Sequence, residues 1–200
     1  MCFLNNFLSL VELTTYNLLI DMKFCSLCGC TVDLLVPPND NRARHVCRSC
    51  GEIHYQNPKL IVGAIPEWQD KILLCRRAIE PRLGLWTLPA GFMENGETTT
   101  EAAARETLEE ANAHIDIGDL YTMFNLPYIN QVHLLFRATL ENLEFSPGVE
   151  SLEVRLFSEQ EIPWDTLAFR PVRFSLQHFF SDRKKGTFKF RSGVITLPKP

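Results

Sequence analysis

The first twenty-one residues contain no Lys or Arg and no apolar run near the ~18 residues that cross a bilayer. A secretory leader needs a basic start, so Asn5, Asn6, Glu12 and Asn17 argue against targeting. Residues 1–21 are therefore read as an extension or a mis-assigned start, with Met22 as the alternative initiator, and the expected localisation is the reducing cytoplasm, with no membrane partner. Glycine is scarce, ten in 200 residues, and 46% of the chain is hydrophobic, which excludes collagen, coiled coil and disorder. An even cysteine count is also missing: there are seven, so a fully paired disulfide framework within one chain is excluded.

What is present is concentrated. Five of the seven cysteines lie between positions 25 and 50. The net charge of −4 hides two opposite blocks. Residues 94–110 hold six glutamates against one arginine, a net −5, and residues 170–200 hold eight Lys or Arg against Asp182, a net +7.

The cysteines form a small repeat, Cys25-Ser-Leu-Cys28-Gly29 and Cys47-Arg-Ser-Cys50-Gly51. A Cys-x-x-Cys turn brings two thiolates to one side of the backbone, and the glycine after it tolerates the positive φ that closes the turn. Two such turns supply the four soft ligands of a tetrahedral structural Zn²⁺, so Cys25, Cys28, Cys47 and Cys50 are the expected zinc ligands. Cys30 breaks the symmetry, and Cys75 ends an apolar run and reads as a core residue. Residues 22–58, with a net charge of only +1, are expected to fold as a zinc ribbon, a segment too short to fold without the metal.

After Asn57-Pro58 the pattern changes. Strand-like runs at 60–65 and 71–75, a helix at about 98–111, further strands around 119–126 and 132–140, and a last helix at about 171–181 predict an α+β domain over 59–182. Residues 183–200 are left as a basic C-terminal tail.

On the first helix, Glu106, Glu109 and Glu110 share one arc of about 100°, with Ala104, Leu108 and Ala111 roughly opposite. The expectation is an outward acid face and a packed alanine-leucine face. Glutamates at i, i+3 and i+4 repel, and only Arg105 is near enough in sequence to compensate, so a hard divalent cation would reverse the sign of the arrangement.

Gly91, Glu97, Arg105, Glu106, Glu109 and Glu110 match the signature G-x5-E-x7-R-E-U-x-E-E-x-G-U, with U bulky and apolar, and on these residues the chain resembles the Nudix hydrolases. Thr107 stands where U is expected and should weaken packing slightly; Asn112 stands where the late glycine is expected and is the next best residue for a left-handed helix end. A ribbon directly before the domain is similar to the NADH pyrophosphatases, and more so to ribbon-containing enzymes acting on ADP-ribose and FAD. The resemblance implies an α/β/α sandwich with a mixed sheet, Mg²⁺ or Mn²⁺ as catalytic cofactor, and hydrolysis of a nucleoside diphosphate linked to a group X, giving AMP and the phosphate of X.

It further implies metal ligands at the Ala90 carbonyl, Glu106, Glu109, Glu110 and Glu153, with Glu150 close behind Glu153, and Arg105 as the residue that orients the carboxylates. A box glutamate or Glu153 would be the general base. Tyr55, Arg77, Phe124 and Tyr128 are the candidate substrate contacts. The NADH pyrophosphatases carry a Ser-Gln-Pro-Trp-Pro-Phe-Pro motif after the box, where this chain has Phe124-Asn-Leu-Pro127-Tyr128-Ile-Asn-Gln131, which favours FAD or ADP-ribose over NADH or a dinucleoside polyphosphate. A homodimer is the assembly implied by enzymes that cleave ADP-ribose. Two readings of other classes stand beside this one: a nucleic-acid binder using the ribbon and Arg183-Lys184-Lys185, which the commonness of solvated charge disfavours, and an ADP-ribose sensor without turnover, which the intact box disfavours.

Overall fold

The computed structural model describes residues 22–197, in two compact units that divide between Asn57 and Pro58. The extension at 1–21 lies outside the described residues.

The first unit is built on three short antiparallel strands, β1 (Val32–Leu35), β2 (Arg44–Cys47) and β3 (Ile53–His54), in the order β1-β2-β3. Each Cys-x-x-Cys closes as a tight turn. The Gly29 N–H donates to the Cys25 carbonyl and the Gly51 N–H to the Cys47 carbonyl, with both glycines at positive φ (74° and 79°).

The second unit is one sheet with a helix on each face. Its strands are β4 (Lys59–Trp68), β5 (Lys71–Arg77), β6 (Trp86–Thr87), β7 (Ala90–Phe92), β8 (Ile115–Leu126), β9 (Gln131–Leu140), β10 (Ser151–Phe157) and β11 (Arg191–Val194). The main path runs β10-β5-β4-β9-β8-β11, with β6 on β5 and β7 on β4; β4–β9 and β8–β11 are parallel and the other pairs antiparallel, so the sheet is mixed as expected.

Strand alternation sorts the core into two layers. Ala64, Leu73, Cys75 and Ala138 face helix α1 (Thr99–Ala111) with Ala111, while Ile65, Ile72, Leu74 and Leu135 face helix α2 (Arg170–Lys185) with Val172, Leu176 and Phe179. Cys75 is buried, as its apolar run suggests, and burial pushes its thiol up. No helix among the described residues is long and apolar enough to cross a membrane.

Of the expected C-terminal tail, the described residues 183–197 are not a free tail. Arg183, Lys184 and Lys185 finish α2, where cations suit the carbonyl end of the helix, and Arg191–Val194 add β11 beside β8. Arg191 forks onto Asp182, which also accepts from the Tyr121 hydroxyl at 3.0 Å. The +7 of residues 170–200 is thus partly structural: Arg183 pairs with Glu67 (2.8 Å) and Lys184 with Glu159 (2.6 Å).

Candidate functional site

Helix α1 begins at Thr98, whose hydroxyl accepts from the Glu101 N–H while the Glu101 carboxylate accepts from the Thr98 N–H, a reciprocal cap. It ends at Asn112 in the left-handed conformation (φ 47°, ψ 33°), which fits the reading of Asn as a substitute for glycine. The asparagine does more than turn the chain. Its Nδ2 donates to the carbonyls of Ser146 and Pro147 and to the Ser146 hydroxyl, each at 3.2 Å, tying the helix end to the 142–150 loop.

The expected division of α1 into an outward acid face and an inward Ala104–Leu108 face is corrected by the structure. Ala102, Ala103, Glu106, Thr107, Glu110 and Ala111 are buried, and Leu108 is exposed. The buried arc therefore includes two of the three acids. Thr107 does not weaken packing: it is fully buried, and its hydroxyl donates to the Ala103 carbonyl at 2.8 Å.

Glu106 and Glu110 are 8% and 6% exposed, whereas Glu109 lies open to solvent. Desolvation raises both buried carboxyls above the ordinary range, Glu110 to about 8; the charge of Glu106 adds to the rise at Glu110, and those of Glu109 and Glu150 add to it at Glu106. Glu110 Oε2 is buried with no hydrogen-bond partner. Gly91 makes room for this pair: a Cβ there would stand 2.3 Å from the Glu106 carboxylate.

Arg105 ties the acids together. Its Nε and Nη2 fork onto Glu97 (2.9 and 2.7 Å), Nη1 reaches Glu106 (2.7 Å) and Glu109 (3.0 Å), and Nη2 also donates to the Phe92 carbonyl (3.1 Å). The Arg105 guanidinium holds Glu97 down at about 2. A groove of about 520 Å³ opens beside this cluster, between Pro58–Leu60 and residues 92–97, with the Lys59 ammonium 4.8 Å from the Phe92 ring centre.

The 142–150 loop lies against the end of α1: the Ser146 N–H donates to the Ala111 carbonyl and the Gly148 N–H to the Glu110 carbonyl. It delivers Glu150, whose negative charge acts on both Glu106 and Glu110. Glu153 is elsewhere. It sits two positions from Arg155 and four from Phe157, which packs in the α2-side core, and its carboxylate is 3.8 Å from Arg76. The sequence preference for Glu153 over Glu150 gives way on this geometry, because a β-bulge between Ser151 and Glu153 resets which side chains face α1.

The other candidates divide. Arg77 is half-buried at the end of β5, its Nε donating to the Pro81 carbonyl at 2.8 Å, and its charge acts on Glu110. The Ala90 backbone N–H donates toward the Glu110 carboxylate. Phe124 is buried with Leu126 and Ile195 and is not free to stack on a base. Tyr128 is half-buried at the edge of that cluster. Tyr55, in the first unit, is exposed beneath the Arg44 guanidinium.

In the first unit the four cysteine sulfurs lie within 4.8 Å of one another, with Cys25–Cys50 at 3.7 Å and Cys28–Cys47 at 3.4 Å. Tetrahedral zinc with ~2.3 Å bonds requires sulfur separations of about 3.8 Å, so the cage fits the ion. The Leu27 N–H points at Cys25 Sγ (3.4 Å), the amide-to-sulfur contact such a site uses.

A NUDIX domain model matches residues 58–179, more than half of the chain. The protein belongs to the Nudix hydrolase family. The family's zinc-ribbon model, described as Nudix N-terminal, matches residues 23–56. Among curated relatives, the NAD-capped RNA hydrolase NudC of Photobacterium profundum is 29% identical over 150 residues, covering 74% of this chain and 54% of the relative. The ADP-ribose pyrophosphatase of Methanocaldococcus jannaschii is 30% identical over 113 residues, covering 54% of this chain and 67% of the relative. This Nudix chain thus spans about half the length of the NudC relatives it matches. A solved Nudix hydrolase from Nitrosomonas europaea superposes with a TM-score of 0.86 at 57% identity, covering 88% of this chain and all of that one. An ADP-ribose pyrophosphatase structure from Streptococcus suis shares the fold at 21% identity and a TM-score of 0.55.

Proposed function

We propose that this Nudix protein hydrolyses the pyrophosphate bond of a nucleoside diphosphate linked to X, with FAD or ADP-ribose as the substrate, giving AMP and the phosphate of X. The observation that carries the reading is the burial of Glu106 and Glu110 side by side with Glu110 Oε2 unpartnered. Two desolvated carboxylates without enough cations are a cost to the fold alone and an asset to a site that takes Mg²⁺ or Mn²⁺.

In this reading Glu106, Glu109 and Glu110 would hold the metal, with the Ala90 carbonyl beside them. Bound there, the divalent ion neutralises the diphosphate and lowers the pKa of the attacking water. Arg105 keeps Glu106 and Glu109 in place through direct hydrogen bonds, and Glu97 keeps Arg105 in place. Arg77 pairs with the diphosphate. Glu150 takes the proton of the attacking water, being held on a loop rather than inside the Arg105 network. The ribbon cysteines hold a structural zinc.

A second reading has an observation of its own: the NudC relatives, matched over 70–74% of this chain, are named NAD-capped RNA hydrolases. The deciding experiment incubates purified protein and Mg²⁺ or Mn²⁺ with FAD, ADP-ribose, NADH, a dinucleoside polyphosphate and NAD-capped RNA, and follows AMP or decapped ends by chromatography. AMP from FAD or ADP-ribose supports the first reading. Release from NADH or capped RNA alone supports the second, and no release from any of them overturns both.

A further inference from the structure

The 142–150 loop, between β9 and β10, has little apolar surface to hold it. Val149 is 97% exposed and Leu143 is exposed as well, while Phe145 packs half-buried against the α1-side core. Hydrogen bonds therefore set the position of the loop. The Ser146 N–H donates to the Ala111 carbonyl at 2.9 Å and the Gly148 N–H to the Glu110 carbonyl at 3.0 Å, and the Glu150 carbonyl accepts from the Ala78 N–H at 2.8 Å. Glu150 is thus strung between Gly148, seated on the end of α1, and the residue that follows Arg77.

Backbone amides are available to any sequence at such a junction; the Asn112 side chain is particular to this one. Its Nδ2 carries two hydrogens, shared over the carbonyls of Ser146 and Pro147 and the Ser146 hydroxyl, each at 3.2 Å. Both carbonyls can only accept, so the amide nitrogen and not Oδ1 faces them. Meanwhile the Asn112 backbone N–H donates to the Leu108 carbonyl at 2.8 Å in the left-handed turn that ends the helix. One residue therefore closes the helix with its backbone and grips the loop with its side chain. Glycine, which suits the left-handed turn better, would perform the first task and leave the second undone.

We propose that Asn112 is a positioning residue for the hydrolytic reaction: its side-chain amide fastens the 142–150 loop to the end of α1 and so presents Glu150 to the carboxylates of that helix. Asn112 follows Glu109 and Glu110 by less than one turn of helix, so the grip lies next to the acids it serves.

This inference rests on the pyrophosphohydrolase reading, and on Glu150 within it, for its kinetic test and is independent of both for its exchange test. Asn112→Gly keeps the left-handed turn, so the Tm is expected to move little while kcat on the best substrate of the panel falls about tenfold at unchanged KM. Asn112→Asp keeps the shape but sets carboxylate oxygens against the same carbonyls, and the same loss is expected. In a Glu150→Gln background, Asn112→Gly should cost less than about twofold further, because it acts through a carboxylate already removed. Wild-type kcat in Asn112→Gly, or the same loss in both backgrounds, overturns the positioning role. Hydrogen exchange read by mass spectrometry, without metal or substrate, is expected to be about tenfold faster in Asn112→Gly at the Ser146 and Gly148 amides and unchanged in the first turns of α1. Equal protection of the loop in both proteins overturns the proposal at its root. A wild-type protein inactive on the whole panel, with the loop released in the variant, overturns the hydrolase reading and leaves the anchor standing.

Discussion

A Cβ on Gly148 would stand 1.7 Å from the carbonyl oxygen of Glu109, so the 142–150 loop touches the last turn of α1 at a point where only glycine fits. That contact anchors the loop that carries Glu150, whose charge acts on Glu106 and Glu110. Gly148→Ala must therefore push the loop off the helix, at a cost of about 3 kcal/mol or more if the loop stays in place. The expected outcome is a lower Tm together with a larger loss of activity than the Tm alone explains. Activity retained at a temperature well below the new Tm would show that Glu150 is not needed where the structure puts it.

Glu110→Gln separates stability from function. The substitution keeps the shape and, above about pH 8 where the metal-free Glu110 is ionised, removes a desolvated charge beside Glu106, so it should raise the Tm of metal-free protein at about pH 9 while lowering kcat about 10³-fold with Mg²⁺ present. Thermal melts in EDTA and product chromatography read the two effects separately. A lower metal-free Tm would argue that the carboxylate is satisfied by the fold alone.

Arg105→Lys tests the clamp. Lysine keeps the charge but cannot fork onto Glu97 while reaching Glu106 and Glu109, so a loss of ~10–100-fold in kcat with little change in KM is expected. Steady-state kinetics on the best substrate of the panel provide the check; wild-type kcat would mean that any cation at this position suffices.

Zinc content is expected at one ion per chain by metal analysis, and Cys28→Ser should lose it. Because so short a unit depends on its metal, limited proteolysis of the variant should cut within residues 22–57 and spare the 58–197 unit. Full zinc occupancy in the variant would point to Cys30 as a replacement ligand.

Asp182 supplies the pH dependence. Hydrogen bonds from Arg191, with others from Tyr121 and the Lys189 N–H, hold its carboxyl down at about 2 against an ordinary 3.8. A depressed carboxyl contributes stability that is complete above the unfolded value and disappears as pH falls through the folded one. The stability gap between wild type and Asp182→Asn, measured by urea unfolding, should shrink as the pH is lowered from about 4 to 2; a constant gap would show that the pair does not bind protons differently in the two states.

The zinc cage and the box were legible in the sequence for one reason: their geometry is local. A Cys-x-x-Cys turn and glutamates at i, i+3 and i+4 have their relative positions set by the backbone of a single turn or helix, and Arg105 reaches Glu109 by the same i, i+4 rule. The central helix and most strands of the second unit followed from periodicity, and Asn112 from its tolerance of the left-handed conformation. Tertiary structure decided the rest. Which face of α1 is buried depended on the sheet and the 142–150 loop packed against it, so acids that look solvent-facing on a wheel are desolvated. The placing of Glu150 and Glu153 on different sides turned on a bulge in β10, and the edge strand β11 on a parallel partner about seventy residues away. Spacing along the chain carries local ligand geometry, but desolvation and charge imbalance exist only once distant segments share a volume.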